Sequence, residues 1–551
     1  MCRWGIVVSV VGAVAILGTR PAADDVPPVV KSIVAEVTKK NTDPGGRPLP
    51  VVAHWANGFA RDNFSSDFQV EMLEQGHRIM PTLPMPRPGV ETYSEEGREV
   101  VRKLATWKAP FSLRAGQWEQ LLLDKDHPVD EPGKWRNLPK DKTPLVIKLD
   151  GEIDNWISPF GAVEPWYEVG RYYTSSGSFG ELQEWYPDPP LVIFLSNNEA
   201  RRIKTKHNVE ERSKRYVDKY GTGTPLTTQC RAMAEGYVER YGALLKGMQD
   251  GLKSEHWRNH RLFVAYGAFG PSHFGRWDDW PSYSFMTEDR MDPWHLVWEG
   301  GSPSYYTHDW DPSTDYRVWS PQVEAMNWVF MLEEAYAESP DFWFEISIWD
   351  GNRGSKPSEQ GRKEKRAHYI EAGQEWSGDR YGGFVQYGMW LTRPRAVREF
   401  KGHTVKRADF TEECKALLAA VDRVWESPVL TKFWRHGTLV PNRSRQHPYQ
   451  TKIPEKWKTV DRWFMLNTSL DPEGEWGLMT EIPVFSLARA IGEQGNREWL
   501  LYAHAPAKAR KGVKIEIPEY GTVTVDVTPA GNFYHIREKG GSVTAVADAR
   551  G

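Results

Sequence analysis

The chain has 551 residues, of which 40% are hydrophobic, so it is long enough for two or three domains with a large buried core. Its formal net charge is −4, which excludes the strongly basic surface typical of nucleic-acid-binding proteins. The 26 tryptophans are an unusually large number. Such large rings are used for core packing or for stacking on flat ligands such as sugar rings.

The N-terminus carries a short apolar segment. Residues 6–18 (IVVSVVGAVAILG) follow Arg3 and precede a polar, proline-rich stretch. This pattern predicts a signal peptide over residues 1–22 and therefore a secreted or periplasmic protein. A retained membrane anchor is the alternative, although the run is short for a membrane span. We expect residues 23–47 to form a linker or an arm against the next domain.

Eight short apolar runs follow in chain order, each ending in polar or small residues. They cover residues 49–56, 77–83, 144–150, 190–196, 261–267, 294–299, 341–347 and 383–387. Runs that do not alternate are typical of parallel strands buried on both faces. Helical patterns separate several of them, at residues 95–105, 209–220, 228–251, 320–338 and 411–426. The alternation predicts an α/β fold, a TIM (β/α)8 barrel over residues 48–438.

The pattern changes after the barrel. Short strand-like runs separated by tight turns predict an antiparallel β-sandwich over residues 439–551. We expect this domain to pack on the barrel and to carry no catalytic group. Cys230 and Cys414 are the cysteines beyond the signal segment, and we expect them to be buried thiols. No glycine-rich dinucleotide motif follows the first strand, so we expect no cofactor, and we expect no metal.

In a TIM barrel the active site lies at the C-terminal ends of the strands, so the polar and aromatic residues there are the candidates. In chain order they are His54, Trp55, Asp150, Glu152, Asn198, Glu199, His273, Glu299, Tyr305, Tyr306, Glu345, Trp349 and Trp390. Many carboxylates and aromatic rings in one place indicate a site for a carbohydrate.

Two glutamates could form the pair of carboxyl groups that hydrolysis of a glycosidic bond requires. Glu199 follows the fourth predicted strand (LSNNEARR), and Glu345 lies in the seventh (FWFEISIW). A charge in the apolar setting of Glu345 is costly unless it is paired or functional. The alternatives are a carboxylate at a helix start for Glu199 and a salt bridge in the barrel core for Glu345. Glu299 is the next candidate nucleophile.

On Asn198-Glu199 and Glu345 the chain resembles the large clan of retaining (β/α)8 glycoside hydrolases. That clan has an Asn-Glu at the end of strand four and a glutamate at the end of strand seven. It often adds a tyrosine after strand six, a tryptophan after strand eight and a C-terminal β-sandwich, which Tyr305 or Tyr306, Trp390 and the last domain could supply. The loops match no single family.

The resemblance implies an exported hydrolase of a poly- or oligosaccharide. Glu199 would protonate the leaving oxygen and later activate water, while Glu345 would attack the anomeric carbon. Asn198 would hold the sugar 2-hydroxyl. Trp390 would form a wall of the subsite for the attacked sugar, with packing between barrel and helix as its alternative.

Some observations leave other readings open. Asp150, Glu152 and Asp154 could form a cation site, although sugar contacts or salt bridges are the simpler interpretation. A basic run follows Glu199 and comprises Arg201, Arg202, Lys204 and Lys206. It could bind acidic or sulfated groups on a polysaccharide, or form a solvated helix face. Two other functions compete. One is a carbohydrate-binding barrel without turnover, and the other is a polysaccharide lyase, whose unsaturated product absorbs ultraviolet light.

Overall fold

The computed structural model describes most of the chain. The described residues are 26–56, 58–89, 93–114, 116–197, 209–266, 296–306, 320–349, parts of 360–371, 377–400, 406–447, 461–471 and 482–547. The predicted signal peptide lies outside them. Of the helices within these ranges, none is long and apolar enough to cross a membrane.

The first two thirds of the chain form a parallel barrel. In chain order its region contains β1 (Val51–His54), β2 (Thr82–Pro84), β3 (Phe111–Arg114), β4 (Leu145–Ile147), β5 (Ile153–Ile157), β6 (Val192–Asn197), β7 (Arg261–Tyr266), β8 (Gly300–Ser302), β9 (Ser304–Tyr306), β10 (Trp343–Trp349) and β11 (Ala396–Glu399). Hydrogen bonds order the main sheet as β1-β11-β10-β8-β7-β6-β3-β2, with β9 also on β10. A parallel bridge between Val52 and Ile79 joins its two ends. The predicted (β/α)8 barrel is confirmed.

Three of the eight predicted strands were misplaced. Residues 144–150 fall in the β4–β5 region, an antiparallel pair outside the barrel, and the third barrel strand is β3. The sixth strand is β8 with β9, just after the predicted residues 294–299. Residues 383–387 lie in a helix, and the eighth strand is β11.

Helices cover the outside of the barrel. They are α1 (Pro28–Val37), α2 (Ser66–Glu74), α3 (Glu95–Trp107), α4 (Glu164–Ser175), α5 (Gly177–Trp185), α6 (Val209–Arg212), α7 (Lys214–Tyr220), α8 (Leu226–Gly251), α9 (Glu255–Asn259), α10 (Ser320–Glu338), α11 (Gly378–Thr392), α12 (Thr411–Glu426) and α13 (Pro428–His436). Glycines let α4 and α8 approach backbone to backbone: a Cβ on Gly170 would lie 2.0 Å from the Leu244 carbonyl oxygen, and one on Gly247 would lie 2.1 Å from that of Tyr167. Larger residues there would force the two helices apart.

The C-terminal region is an antiparallel β-sandwich, as predicted. Its strands are β12 (Thr438–Leu439), β13 (Phe485–Ile491), β14 (Glu498–His504), β15 (Arg510–Ile517), β16 (Gly521–Val527), β17 (Asn532–Arg537) and β18 (Ser542–Ala545). Five form the sheet β12-β13-β14-β17-β18, and β15 and β16 form a hairpin. Alternate residues of the hairpin are buried, and these apolar side chains share a core with the sheet.

The sandwich is attached to the barrel through α11. Arg489 of β13 is buried and donates hydrogen bonds to the carbonyl oxygens of Trp390 (2.7 Å), Leu391 (3.0 Å) and Gly437 (2.9 Å). A cation is favoured at this place because the last carbonyl groups of a helix carry partial negative charge. α11 is therefore covered on both sides, by the barrel and by the sandwich.

Residues 26–47 pack against the barrel as an arm. Glu36 of α1 forms ion pairs with Arg435 (2.7 Å) and Lys39 (2.8 Å). Arg395, which precedes β11, donates to the carbonyl oxygens of Val37 (2.8 Å) and Lys39 (2.7 Å). The contacts with Arg435 and Arg395 tie the arm to the C-terminal part of the barrel sequence. Elsewhere, Cys230 and Cys414 are buried free thiols, as expected.

Candidate active site at the barrel mouth

Five aromatic residues of the described part of the chain lie at or just beyond the C-terminal ends of the barrel strands. This aromatic layer consists of Trp55, Tyr266, Tyr306, Trp349 and Phe400. Trp55 packs edge-on against Tyr266 with ring centres 5.1 Å apart, and Phe400 stacks on Tyr266 at 5.6 Å. Tyr306 lies 5.4 Å from Trp349 and 5.5 Å from Phe400. The rings form one continuous packed layer, in which all but Phe400 are buried.

Hydroxyl groups connect the layer to the barrel interior. The hydroxyls of Tyr266 and Tyr306 are hydrogen-bonded to each other. Tyr266 also reaches Ser304 at 3.4 Å, and Tyr306 reaches Ser347 at 3.5 Å. Polar tips on apolar rings suit a sugar, which offers both C–H faces and hydroxyl groups. Three members of the layer are predicted from the sequence: Trp55, Tyr306 and Trp349. Tyr266, which ends a strand, and Phe400, which directly follows one, are not.

Glu345 lies below this layer, inside the barrel. Its carboxylate is paired with Arg398 of β11, with 2.5 Å from Oε1 to Nε and 3.1 Å from Oε2 to Nη2. The Nε1 of Trp343 donates to the same Oε2 at 3.1 Å. Arg398 also donates to Thr82 (3.0 Å) and Ser112 (3.3 Å) across the barrel. Both side chains of the ion pair are 0% exposed.

The position of Glu345 along β10 matters for its role. It is the third residue of a strand that continues to Trp349, so it lies about 13 Å below the strand end at 3.3 Å per residue. Both of its oxygens are engaged, and the aromatic layer lies between it and the mouth. This geometry matches a salt bridge in the barrel core, the alternative that the sequence left open for this residue.

Glu199 differs from Glu345 in its position relative to its strand, because it follows the strand and does not lie within it. β6 ends at Asn197, and Asn198 and Glu199 come directly after it in the chain. Glu199 therefore follows a strand end on the side where TIM barrels carry catalytic groups. Asn198, Glu199, His273 and the basic run from Arg201 to Lys206 lie outside the described residues.

The strand-one residues point in different directions. His54 is completely buried on the outer side of the barrel, where it stacks on Phe64 at 4.9 Å and lies 3.6 Å from the Glu399 carboxylate. Trp55 faces the mouth and lies under the guanidinium of Arg114, 5.1 Å from its ring centre. Arg114 ends β3 and was missed because its short strand, FSLR, is not an apolar run. Trp55 belongs to the mouth and His54 does not.

Three predicted acidic contacts lie away from the mouth. Asp150 and Glu152 are exposed in the turn between β4 and β5, so they follow no barrel strand. Glu299 precedes β8, accepts a hydrogen bond from the Phe263 amide (2.9 Å) and pairs with Arg261 (2.7 Å), the first residue of β7. It therefore lies at the opposite end of the barrel. Burial raises the pKa of Glu299, against the lowering effect of Arg261. Within the described residues no cluster of three potential metal ligands occurs.

Two aromatic predictions are also corrected. Tyr305 points outward from β9 and stacks on Phe384 of α11 at 4.3 Å. Trp390 lies in α11, is 0% exposed and packs against Trp434 (5.3 Å) and Phe533 (5.2 Å). It is a packing residue between the barrel and the sandwich, because residues 383–387, the predicted eighth strand, belong to α11.

No family model and no curated protein matches the chain. Among solved structures it is similar to a noncanonic maltogenic alpha-amylase AmyB from Thermotoga neapolitana, at 9% identity and a TM-score of 0.38 over 90% of this chain and 99% of that one. GH26A from Muricauda sp. MAR_2010_75 gives 12% and 0.29, over 73% and 96%. Endo-glycoceramidase II from Rhodococcus sp. gives 11% and 0.27, over 88% and 98%. Scores this low assign neither a family nor an activity.

Proposed function

We propose that this chain is an exported glycoside hydrolase that acts at the C-terminal mouth of the barrel. The observation that carries the proposal is the end of β6 at Asn197, which leaves Asn198-Glu199 as the first residues beyond the fourth strand. The packed aromatic layer at the same mouth supports it, since rings with polar tips suit a sugar. Glu199 is the proposed general acid and base, and Asn198 the partner of the sugar 2-hydroxyl.

The proposed mechanism is a retaining double displacement with Glu345 as the nucleophile. Arg398 would then hold the attacking carboxylate in place through its two hydrogen bonds. Because Glu345 is fully buried, the mechanism requires the aromatic layer to open when the sugar binds. Asp350 follows Trp349 directly in the chain, and it is the strand-seven carboxylate that takes this role if Glu345 only holds Arg398.

One observation favours a second function. The closed ion pair of Glu345 and Arg398 is what a barrel that binds carbohydrate without cleaving it would retain for stability. Such a protein would bind polysaccharide and release no product. The two functions differ in turnover, so they can be separated directly.

The experiment is product release from a panel of plant and algal polysaccharides. The hydrolase proposal predicts new reducing ends without an unsaturated, ultraviolet-absorbing product. Binding to a polysaccharide without any release of reducing ends would instead support the binding protein. For a cleaved substrate, NMR of the first-formed anomer would show retention; inversion would contradict the double displacement.

A further inference from the structure

A cavity of about 360 Å³ opens at the C-terminal ends of β2 and β3. Residues 85–88 after β2, Arg114, the Trp118–Leu122 turn of 3-10 helix and Tyr172 and Tyr173 of α4 contribute to its walls. Its volume lies in the range of small-molecule sites. None of the predicted site residues that the structure describes lines it.

The cavity adjoins the strand that leads to Glu199. β3 pairs in parallel with β6, with Arg114 opposite Leu195. Gly116, a wall residue, accepts a hydrogen bond from the Asn197 amide at 3.4 Å. Glu199 is two residues further along the chain. A ligand in this cavity would therefore sit next to the end of the strand that leads to the proposed acid and base.

Two arginines dominate the charge of the cavity. Neither Arg87 nor Arg114 forms an ion pair with an acid in the part of the chain that the structure describes. Arg114 makes one long hydrogen bond, to the Ala56 carbonyl oxygen at 3.4 Å, and stacks over Trp55. Burial, and then the nearby charge of Arg87, lower the pKa of Arg114 to about 10. The two guanidinium groups outnumber the one acid among the described wall residues, Asp124, so the cavity carries an excess of positive charge that favours an anion.

The remaining walls suit a sugar ring. Tyr172 and Tyr173 are half-buried and line the cavity with their aromatic rings, whereas Trp118 is 1% exposed. The Nε1 of Trp118 and the Nδ1 of His127 are buried without a hydrogen-bond partner among the described residues, and a buried polar atom without a partner is costly. The carboxylate of Asp124 accepts a hydrogen bond from the Asp126 amide at 2.8 Å.

We propose that this cavity is a subsite for an anionic sugar unit, whose carboxylate or sulfate group is bound between Arg87 and Arg114. A guanidinium group donates two parallel hydrogen bonds to either group. The inference rests on the proposed function, because it makes the anionic unit a neighbour of the bond that Glu199 would cleave. It assigns the substrate class as an acidic or sulfated glycan.

Affinity electrophoresis of the full chain tests the subsite. Glu199→Gln serves as the parent, so that turnover does not remove the ligand. The gels contain polygalacturonate or its methyl ester, and dextran sulfate or dextran, so each anionic polymer has a neutral match. Arg87→Gln and Arg114→Gln are compared with Arg537→Gln, an equal loss of charge on the exposed side of β17. Arg114→Lys keeps the positive charge but lacks the two parallel N–H donors of the guanidinium group.

The parent should bind at least one anionic polymer and neither neutral one; whether polygalacturonate or dextran sulfate binds identifies the group. Each Arg→Gln variant at the cavity should weaken binding about ten- to hundred-fold, the usual contribution of a charged hydrogen bond. Arg114→Lys should bind more weakly than the parent and more tightly than Arg114→Gln. Equal binding by Arg87→Gln, Arg114→Gln and Arg537→Gln, binding of the neutral polymers, or no binding at all would overturn the subsite. Full turnover by Glu199→Gln, measured as released reducing ends, would contradict the proposed function instead; because every variant shares the Glu199→Gln background, the relative retardation of the arginine variants still tests the subsite.

Discussion

The Glu345–Arg398 pair can be removed one member at a time or as a unit, and the two experiments separate its structural role from a catalytic one. Glu345→Gln removes the charge that faces Arg398 in a site that is 0% exposed. Breaking a buried pair from one side leaves an uncompensated charge and costs about 3–5 kcal/mol of unfolding free energy. Loss of activity in this single variant would therefore be ambiguous.

The double variant Glu345→Met/Arg398→Met removes both charges together. Replacing a buried pair by apolar residues is often close to neutral. Thr82 and Ser112 lose their bonds to Arg398 but remain bonded to each other at 2.6 Å. The Nε1 of Trp343 loses its acceptor, which costs about 1–3 kcal/mol. We therefore expect the double variant to be more stable than Glu345→Gln.

Unfolding in urea, followed by tryptophan fluorescence, gives the stabilities, and turnover is measured well below the melting range. Glu299→Gln is the matched control, because its ion pair lies at the far end of the barrel and is partly exposed. With Glu345 as the nucleophile, the double variant should be folded but inactive, and Glu299→Gln should remain active. A folded double variant with near-normal turnover would refute that role and move the test to Asp350→Asn.

Three further predictions follow from the packing and charge of the described residues. Trp390→Ala should lose about 3–5 kcal/mol of unfolding free energy in a thermal or urea melt, yet cleave normally at low temperature; a selective loss of kcat/KM in a fully stable variant would return Trp390 to the site. Arg489→Met should cost about 3 kcal/mol or more, because three buried carbonyl groups lose their donor, while Arg537→Met should change urea stability by less than about 0.5 kcal/mol; equal effects would contradict the docking role. Burial raises the pKa of Glu36, but hydrogen bonds from Arg435, Lys39 and the Leu49 amide outweigh it and lower the pKa from 4.5 to about 2. The ionised Glu36 therefore contributes about 3 kcal/mol to the unfolding free energy, complete above pH 4.5 and lost towards pH 2. The stability of Glu36→Gln should fall less than that of the wild type over this range, and parallel pH profiles would contradict this.

The barrel was predictable from the sequence because its buried strands read as apolar runs, and β1, β2, β6, β7 and β10 were found in this way. β11 was missed because it carries Arg398 and Glu399, whose charges are matched inside the fold rather than excluded from it. α11 was taken for a strand because it is covered by the barrel on one side and by the sandwich on the other, so it shows no polar face.

The candidate site was predictable where it depended on strand ends. Asn198-Glu199 follows β6 as expected, and Trp55 and Trp349 lie in the aromatic layer. The depth of Glu345 within the barrel could not be inferred from the sequence. It depends on how far β10 continues past Glu345 and on the residue that the neighbouring strand β11 places against it, which is Arg398. The cavity of Arg87 and Arg114 was also beyond the sequence, since its walls come from segments far apart in the chain.

The most direct test of glycoside hydrolysis at the barrel mouth is the release of reducing ends by the wild type, Glu199→Gln and Glu152→Gln on the same polysaccharide panel. Glu152 is the matched control because it lies in an exposed turn outside the barrel. The account predicts cleavage of an anionic glycan by the wild type, unchanged turnover in Glu152→Gln, and a loss of about a hundred- to ten-thousand-fold in Glu199→Gln, the range for a general acid and base. Near-normal release of reducing ends by a folded Glu199→Gln variant would contradict it.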